Sequence, residues 1–331
     1  MLQQLISGLE AGSWYALIAL AVVVVMKATD VPNFAMADMG IISAYVTWAL
    51  RQKGMPLLLA VLLALVFAFV FGAVIQRIVV YPAAAAIAAA VGVVVALTPA
   101  NFAEGAVVGT LVGLAYTFYA ERHGFRTLAG GSHFPLLLST IGIGAVMVNS
   151  VGPIWGVESH DFEKIWKGKP YEVGGAFVTR TQILTFAVGL VTAVGLGLFF
   201  RSTWGVRMRA IAENRNVASL LGISPGKVSM LAWGIASVMA ALAMILQTQA
   251  TVLDSANGES IIFSGFVAAV IGGFASLPGA FIGGISIGVL EGMAGQYVST
   301  GMKQAVALIV VLAVLLARPQ GIAARYRARE V

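Results

Sequence analysis

Long apolar runs separated by short polar breaks set the pattern of this chain. Runs near the about 17–25 residues that cross a bilayer fall at about 5–26, 34–50, 56–80, 134–153, 181–200, 228–248, 261–275, 277–297 and 302–317. Each predicts a helix, because backbone polar groups in lipid must be satisfied within their own segment. Two of them, 34–50 and 261–275, are short enough to be half-spans or re-entrant pieces, which persist only where protein or a cavity covers their backbone. The first run has Glu10 and no basic residue ahead of it, and no small-x-small cleavage site behind it. It therefore reads as a span rather than a signal peptide. Between Tyr81 and Ser132, an Ala-rich piece (83–98) and a Gly-punctuated piece (103–120) meet at Thr98-Pro99-Ala100-Asn101, a turn signal. A helical hairpin over 82–131 keeps the topology of everything after it, whereas a single span would invert it.

The longest polar island is Arg201–Val228, RSTWGVRMRAIAENRNVASLLGISPGKV, where Arg201, Arg207, Arg209, Arg215 and Lys227 face a single acid, Glu213. Ala210, Ala218, Leu220 and Leu221 recur at helical spacing and predict one short amphipathic helix ending at Gly222. Such a helix can dock on a soluble subunit or lie on anionic lipid; the plainer alternative is a solvated loop. Arg and Lys are retained on the cytoplasmic side in short loops. The island (201–228) and the basic tail 318–331, with Arg318, Arg325, Arg327 and Arg329, are four spans apart, so both are expected to be cytoplasmic. Loop 154–180 then falls on the extracytoplasmic side, where Lys164, Lys167, Lys169 and Arg180 are balanced by Glu158, Asp161, Glu163 and Glu172. Within it, YEVGGAFVTR alternates as a small hairpin turning at Gly174-Gly175. Counting back places the N-terminus outside, with Arg51 and Lys53.

Composition agrees: 60% hydrophobic and 10% charged residues, with a mean hydropathy of +0.94, lie far from soluble domains, which carry roughly a quarter charged residues. The chain is a polytopic integral membrane protein, and its 38 glycines favour closely packed spans. Cysteine is absent, so no disulfide or thiolate metal site is encoded. The net charge of +6 belongs to loops, and no basic run carries aromatics for stacking nucleic acid. The three histidines, His123, His133 and His160, have no metal-ligand spacing. GISPGKV at 222–228 is one residue short of a phosphate loop and lacks the hydroxyl residue after Lys227. No nucleophile elbow is expected. A transport subunit, not an enzyme, is expected, with no catalytic residue, metal or cofactor on this chain.

For a pore or carrier the polar residues inside spans matter, because an ionisable side chain at the centre of a membrane helix costs at least about 2.5–3.5 kcal/mol. Asp30, Asn33 and Asp38 cluster around Pro32; Asn149 sits late in its run; Gln247, Gln249, Asp254, Asn257 and Glu259 follow one another; Glu291 and Gln296 lie in 277–297. Asn33, Asp38, Asn149, Gln247 and Glu291 are the candidates for a substrate path, each set against the simpler role of tying helices together. The run FVAAVIGGFASLPGAFIGGISIGVLEGMAGQY (266–297) adds breaks at Gly272, Gly273, Pro278, Gly279, Gly283 and Gly284. Gly284, Gly288 and Gly292 recur every fourth residue as a smooth groove for helix packing or a translocation path.

GLEAGSWYALIALAVVVVMKATDVPNFAMADMGIISAYV (8–46), RMRAIAENRNVASLLGI (207–223), GFVAAVIGGFASLPGAFIGG (265–284) and LLARPQGI (315–322) together resemble the permease subunits of branched-chain amino-acid ABC importers, the Liv type. The likeness covers most of the chain outside 82–131, where about fifty residues exceed the short basic connection the family carries. The resemblance implies a degenerate ATPase-coupling motif, with Asn216, Val217, Ala218 and Gly222 at its spacing and Arg209, Ala210 and Glu213 leading into it. It also implies a second permease subunit, homologous or a copy of this chain, two ABC ATPase subunits that hold ATP and Mg, and an extracytoplasmic solute-binding protein. The expected protein is one all-α membrane permease domain over 1–331, with about 8–11 transmembrane or re-entrant helices and a cytoplasmic coupling helix, in a bacterial inner membrane. Its expected cargo is branched-chain or other hydrophobic amino acids. Urea, short amides or aromatic acids are the alternative cargoes, and an ion-coupled secondary transporter is the alternative class.

Overall fold

The computed structural model describes residues 1–29, 31–80, 133–166, 168–274, 276–318 and 321–322. Its helices are α1 (Leu2–Thr29), α2 (Met36–Gln52), α3 (Leu57–Val80), α4 (His133–Trp155), α5 (Arg180–Phe199), α6 (Thr203–Glu213), α7 (Arg215–Leu220), α8 (Pro225–Gln247), α9 (Asn257–Gly272), α10 (Leu277–Tyr297) and α11 (Lys303–Ala317). Each apolar run of the sequence coincides with one of them. The hairpin expected over 82–131, Asp30 and most of the basic tail lie outside the described residues. Helices α1, α5, α8, α10 and α3 through Arg77 are long and apolar enough to cross a bilayer, and the chain is an all-α, multi-pass membrane protein.

Helix α1 is the central post. It is apolar all round, as suits a helix enclosed on every side, and each residue from Ala16 to Val25 is at most 1% exposed. It packs most extensively on α10, then on α8, α9 and α5. Helices α3 and α5 stand outside, with Leu58, Leu62, Val66 and Val70 on α3 and Leu190, Val194 and Leu198 on α5 exposed at helical spacing. Local chemistry sets the helix starts. Thr179 and Gln182 form a reciprocal capping box at α5, and prolines open α8 and α10.

Two ends can be distinguished. At one, β1 (Tyr171–Val173) pairs antiparallel with β2 (Ala176–Val178). Gly174 and Gly175 turn the hairpin at φ values of 56° and 77°, the left-handed pair that matches strand twist. Gln3 exchanges two hydrogen bonds with the Phe177 backbone, Gln4 donates to Gln296 at 2.8 Å, and Arg51 pairs with Glu163. The N-terminus, the end of α2, loop 156–179 and the end of α10 therefore share this hairpin end. At the opposite, island end, Lys27 lies 5.8 Å from the centroid of the Phe200 ring. Residues 321–322 also lie there, and Ile322 N–H donates to the Ile271 carbonyl at 2.8 Å. Gly321 is wedged so close to Gly273 that a Cβ would come within 2.6 Å of its Cα, so the glycine of the closing LLARPQGI clamps the α9–α10 turn.

Short α2 begins inside the protein. Val31, Asn33 and Ala35 ahead of it are buried, the Phe34 N–H donates to Thr140 of α4 at 3.3 Å, and the Phe34 and Phe266 rings stand 5.2 Å apart. Irregular backbone within a membrane protein is tolerated where other helices enclose it in this way.

Candidate functional site

The polar island folds back under the bundle. Ser202 caps α6, and the close approach of Gly205 to the Phe200 backbone leaves no room for a Cβ. Met208 and Ile211 are buried where α6 meets α1 and α8, and Arg209 donates to the Phe200 carbonyl. The single helix predicted to run to Gly222 is instead two. Asn214 has extended backbone, φ −155° and ψ 106°, and its side-chain oxygen accepts from the N–H groups of Asn216 and Val217 at 3.1 Å each. The residue read as part of a continuing helix is thus the N-cap of a new one, a position where Asn ranks among the strongest.

Helix α7 then closes on glycine. Ile223 N–H donates to the Ala218 carbonyl and Gly222 N–H to the Ser219 carbonyl, both at 3.0 Å, a Schellman pair around Gly222 at φ 78°. Ala218 is 2% exposed, whereas Leu220 and Leu221, read with it as one apolar stripe, are 87% and 74% exposed. Ala210 is half-buried, while Glu213, Asn216 and Gly222 are exposed. The two leucines, with exposed Val217, form an apolar knuckle on α7. Asn214→Ala is expected to loosen α7 by about 1 kcal/mol. Hydrogen exchange at the Asn216 and Val217 amides should then quicken by about fivefold; unchanged exchange would contradict this capping role.

The polar residues of the spans do not gather at one point. Asn33 is buried and accepts the Ala35 N–H at 2.9 Å, a local turn that starts α2. Asp38 stands between α4 and α9, beside Gly144 and Gly258. Gln247 is buried and its side-chain amide donates to Thr251 at 2.7 Å, while its side-chain oxygen is buried without a partner. Asn149 is exposed and donates to Ala145 of its own helix, so it belongs to an outer flank of this subunit rather than its interior. Among the described residues no hydrogen bond joins any two of these five. Glu291, only 4% exposed, is the exception in having partners on other helices. The Tyr15 hydroxyl of α1 and the Ser264 hydroxyl of α9 each donate to one of its oxygens at 2.7 Å. One carboxyl thus ties three helices, with two partners that the sequence analysis missed.

The glycine groove has a specific mate. Gly284, Gly288 and Gly292 of α10 face Ala16, Gly12 and Gly8 of α1, a second small-residue stripe at four-residue spacing that the sequence analysis passed over. A Cβ on Gly12 would stand 2.7 Å from the Ile285 Cα, and one on Gly8 would stand 2.7 Å from the Val289 Cα. Gly283 meets the Ala268 carbonyl of α9, and Gly272 meets Gly279 across the α9–α10 turn. Gly273 turns that corner at φ 79°, and Ser276 caps α10 at Pro278 by accepting the Gly279 N–H at 3.1 Å.

At the hairpin end, loop 156–166 is strapped across α2 and the loop between α8 and α9. His160 stacks on Trp48 with centroids 4.0 Å apart and pairs its backbone with Leu253. Ile165 N–H donates to Gln249 at 2.7 Å. Ser159 donates to Asp254 at 2.6 Å, and that bond, with the Ala256 N–H, holds the Asp254 carboxyl below the usual carboxylate range.

A buried helical post, close glycine-lined helix contacts and a capped polar elbow are the architecture of a polytopic membrane protein. Its family is evident from the sequence pattern described as branched-chain amino acid transport system / permease component, which matches residues 4–103 and 83–317; the chain belongs to that family. The match divides within 82–131. The high-affinity branched-chain amino acid transport system permease protein LivH of Escherichia coli K12 is 29% identical over 100% of this chain and 97% of its own length. BraD of Pseudomonas aeruginosa, described in the same words, is 30% identical over 100% and 98%. A probable branched-chain amino acid transport permease protein LivH of Methanocaldococcus jannaschii is 29% identical over 45% of this chain and 48% of its own. No solved structure matches.

Proposed function

We propose that this chain is the permease subunit of an ATP-driven ABC importer that carries branched-chain or other hydrophobic amino acids, handed over by a solute-binding protein outside the membrane. The island end faces the cytoplasm of a bacterial inner membrane and the hairpin end the outside. A second permease subunit, homologous or a copy of this chain, and two ATPase subunits complete the assembly, with ATP and Mg held on the ATPases.

The observation that carries this reading is the α7 knuckle. Leu220 and Leu221 are exposed on a helix whose base is fixed by buried Ala218 and by the turn at Gly222. Isolated apolar side chains at a surface are ordinary, but two adjacent ones held out on a capped helix suit an anchor for a partner's cleft. A rigid attachment transmits motion: closure of the ATPase pair would pull on α7, and α6, packed on α1 and α8, would pass the pull to the central post. The helical bundle would then rock between outward- and inward-open states.

The double variant Leu220→Asp/Leu221→Asp tests this, because both side chains are exposed and the fold does not rely on them. It is expected to insert normally and to bind its ATPase about 30-fold more weakly, as for the loss of an apolar anchor of about 2 kcal/mol. ATP-dependent uptake should fall with it. Wild-type ATPase recovery and uptake would refute the docking assignment.

A further inference from the structure

Helix α6 offers a second exposed surface that docking through α7 does not use. Helix α5 ends at Phe199, and its exposed Val194 and Leu198 belong to the lipid-facing wall of a spanning helix. Trp204 follows in the first turn of α6, 41% exposed. Arg207, three residues later and so on the same flank, holds its guanidinium 4.8 Å from the centroid of the Trp204 ring. Arg201, in the turn between the helices, is exposed, and among the described residues no carboxylate pairs with Arg201 or Arg207.

We propose that Arg201, Trp204 and Arg207 seat the headgroup of an anionic phospholipid, so that α6 is held at the membrane surface while α7 is left to engage a protein partner. The placement argues for lipid. A residue just beyond the last turn of a spanning helix lies at the level of the headgroups, where Trp is favoured because its ring is apolar and its N–H polar. Guanidinium groups match phosphate oxygens with paired donors, and uncompensated cations at this depth complement an anionic leaflet. Its place over the Trp204 ring holds Arg207 beside that side chain, and a guanidinium on a ring face keeps its in-plane N–H donors for a phosphate. Met208 and Ile211 occupy the buried face, so a lipid on the exposed flank need not displace any contact of the fold. In this arrangement the surface helix is a fulcrum whose position depends on the lipid.

The test needs neither ATPase nor cargo. The full-length protein is placed in nanodiscs of phosphatidylcholine containing equal mole fractions of chain-brominated phosphatidylcholine or chain-brominated phosphatidylglycerol. The contribution of Trp204 is the emission difference between wild type and Trp204→Phe. Quenching by the anionic lipid is expected to be about twofold or more stronger than by the zwitterionic one. Arg201→Gln/Arg207→Gln should abolish that preference and leave quenching by both. Equal quenching in the wild type would overturn the proposal, as would a preference that survives removal of both arginines. Absence of quenching by either lipid would place Trp204 against water or protein and overturn it too. Should Trp204→Phe fail to insert, native mass spectrometry gives the same decision: retained phosphatidylglycerol is expected on the wild type and not on the double-arginine variant, and equal retention contradicts the seat.

Discussion

Gly288→Leu is expected to stop the bundle from assembling. A Cβ at this position would fall inside the backbone of Gly12 and against the Gly8 carbonyl, and these atoms cannot rotate away as a side chain can. Accommodating even a methyl group means driving α10 off α1, the most extensive helix contact among the described residues. Overpacking against movable side chains typically costs about 1–3 kcal/mol; a clash of backbone with backbone along a whole stripe should exceed that range. Gly195→Leu is the control, because a Cβ on Gly195 meets no atom within 4 Å. After detergent extraction the Gly288 variant should elute as aggregate or be lost, while the Gly195 variant elutes like wild type with an unchanged Tm. A Gly288→Leu protein that is monodisperse and as heat-stable as wild type would refute the packing described for α1 and α10.

Glu291→Leu is expected to have the next largest effect. It strips the acceptor from Tyr15 and Ser264 together, and a buried donor left without a partner costs about 1–3 kcal/mol. Ser264 can turn its hydroxyl to a backbone carbonyl of its own helix, as Ser and Thr do in helices, but the Tyr15 hydroxyl has no such local recourse. Most of the loss should therefore be traceable to Tyr15, and Tyr15→Phe made in the Glu291→Leu background should recover part of it. Glu291→Gln keeps one carbonyl acceptor, and its amide can donate to the other hydroxyl oxygen, so it should cost only about 1 kcal/mol, within the range of interhelical hydrogen bonds in membranes. Thermal unfolding of the four proteins measures these differences. A Glu291→Leu protein as stable as wild type would show that the carboxyl does not hold the three helices together.

The sequence carried what is local or periodic. The apolar runs located the helices because a membrane span is a property of one segment, and Gly174-Gly175 located the hairpin because a two-residue turn with both φ values positive needs glycine. Pairings were not legible. Gly8, Gly12 and Ala16 repeat every fourth residue as plainly as Gly284, Gly288 and Gly292, but they are set in a run whose hydrophobicity already accounts for it. Tyr15 and Glu291 are 276 residues apart, and no pattern within either helix points to the other. Asn214 was hidden because the spacing of Ala210 and Ala218 continues across it, although Asn is a strong N-cap and could have marked the break. Helical spacing put Leu220 and Leu221 on one stripe with Ala218, but periodicity does not say which of them the fold covers; exposure separates the two leucines from the buried alanine. Asn149 was grouped with the interior on residue type alone, and nothing in its neighbours specified which flank of α4 it occupies.

On the proposed function, ATP hydrolysis on partner subunits, and not an ion gradient entering through this chain, drives transport. Proteoliposomes containing the whole assembly, supplied with the solute-binding protein and loaded with ATP, measure it directly when radiolabelled leucine uptake is followed with and without a protonophore. At constant ATP, uptake is expected to survive the uncoupler, to require the binding protein, and to persist in Glu291→Gln and Asp38→Asn. Collapse of uptake on uncoupling at constant ATP, or its abolition by either of those neutral variants in a folded assembly, would contradict the claim and point to a carboxyl-coupled carrier.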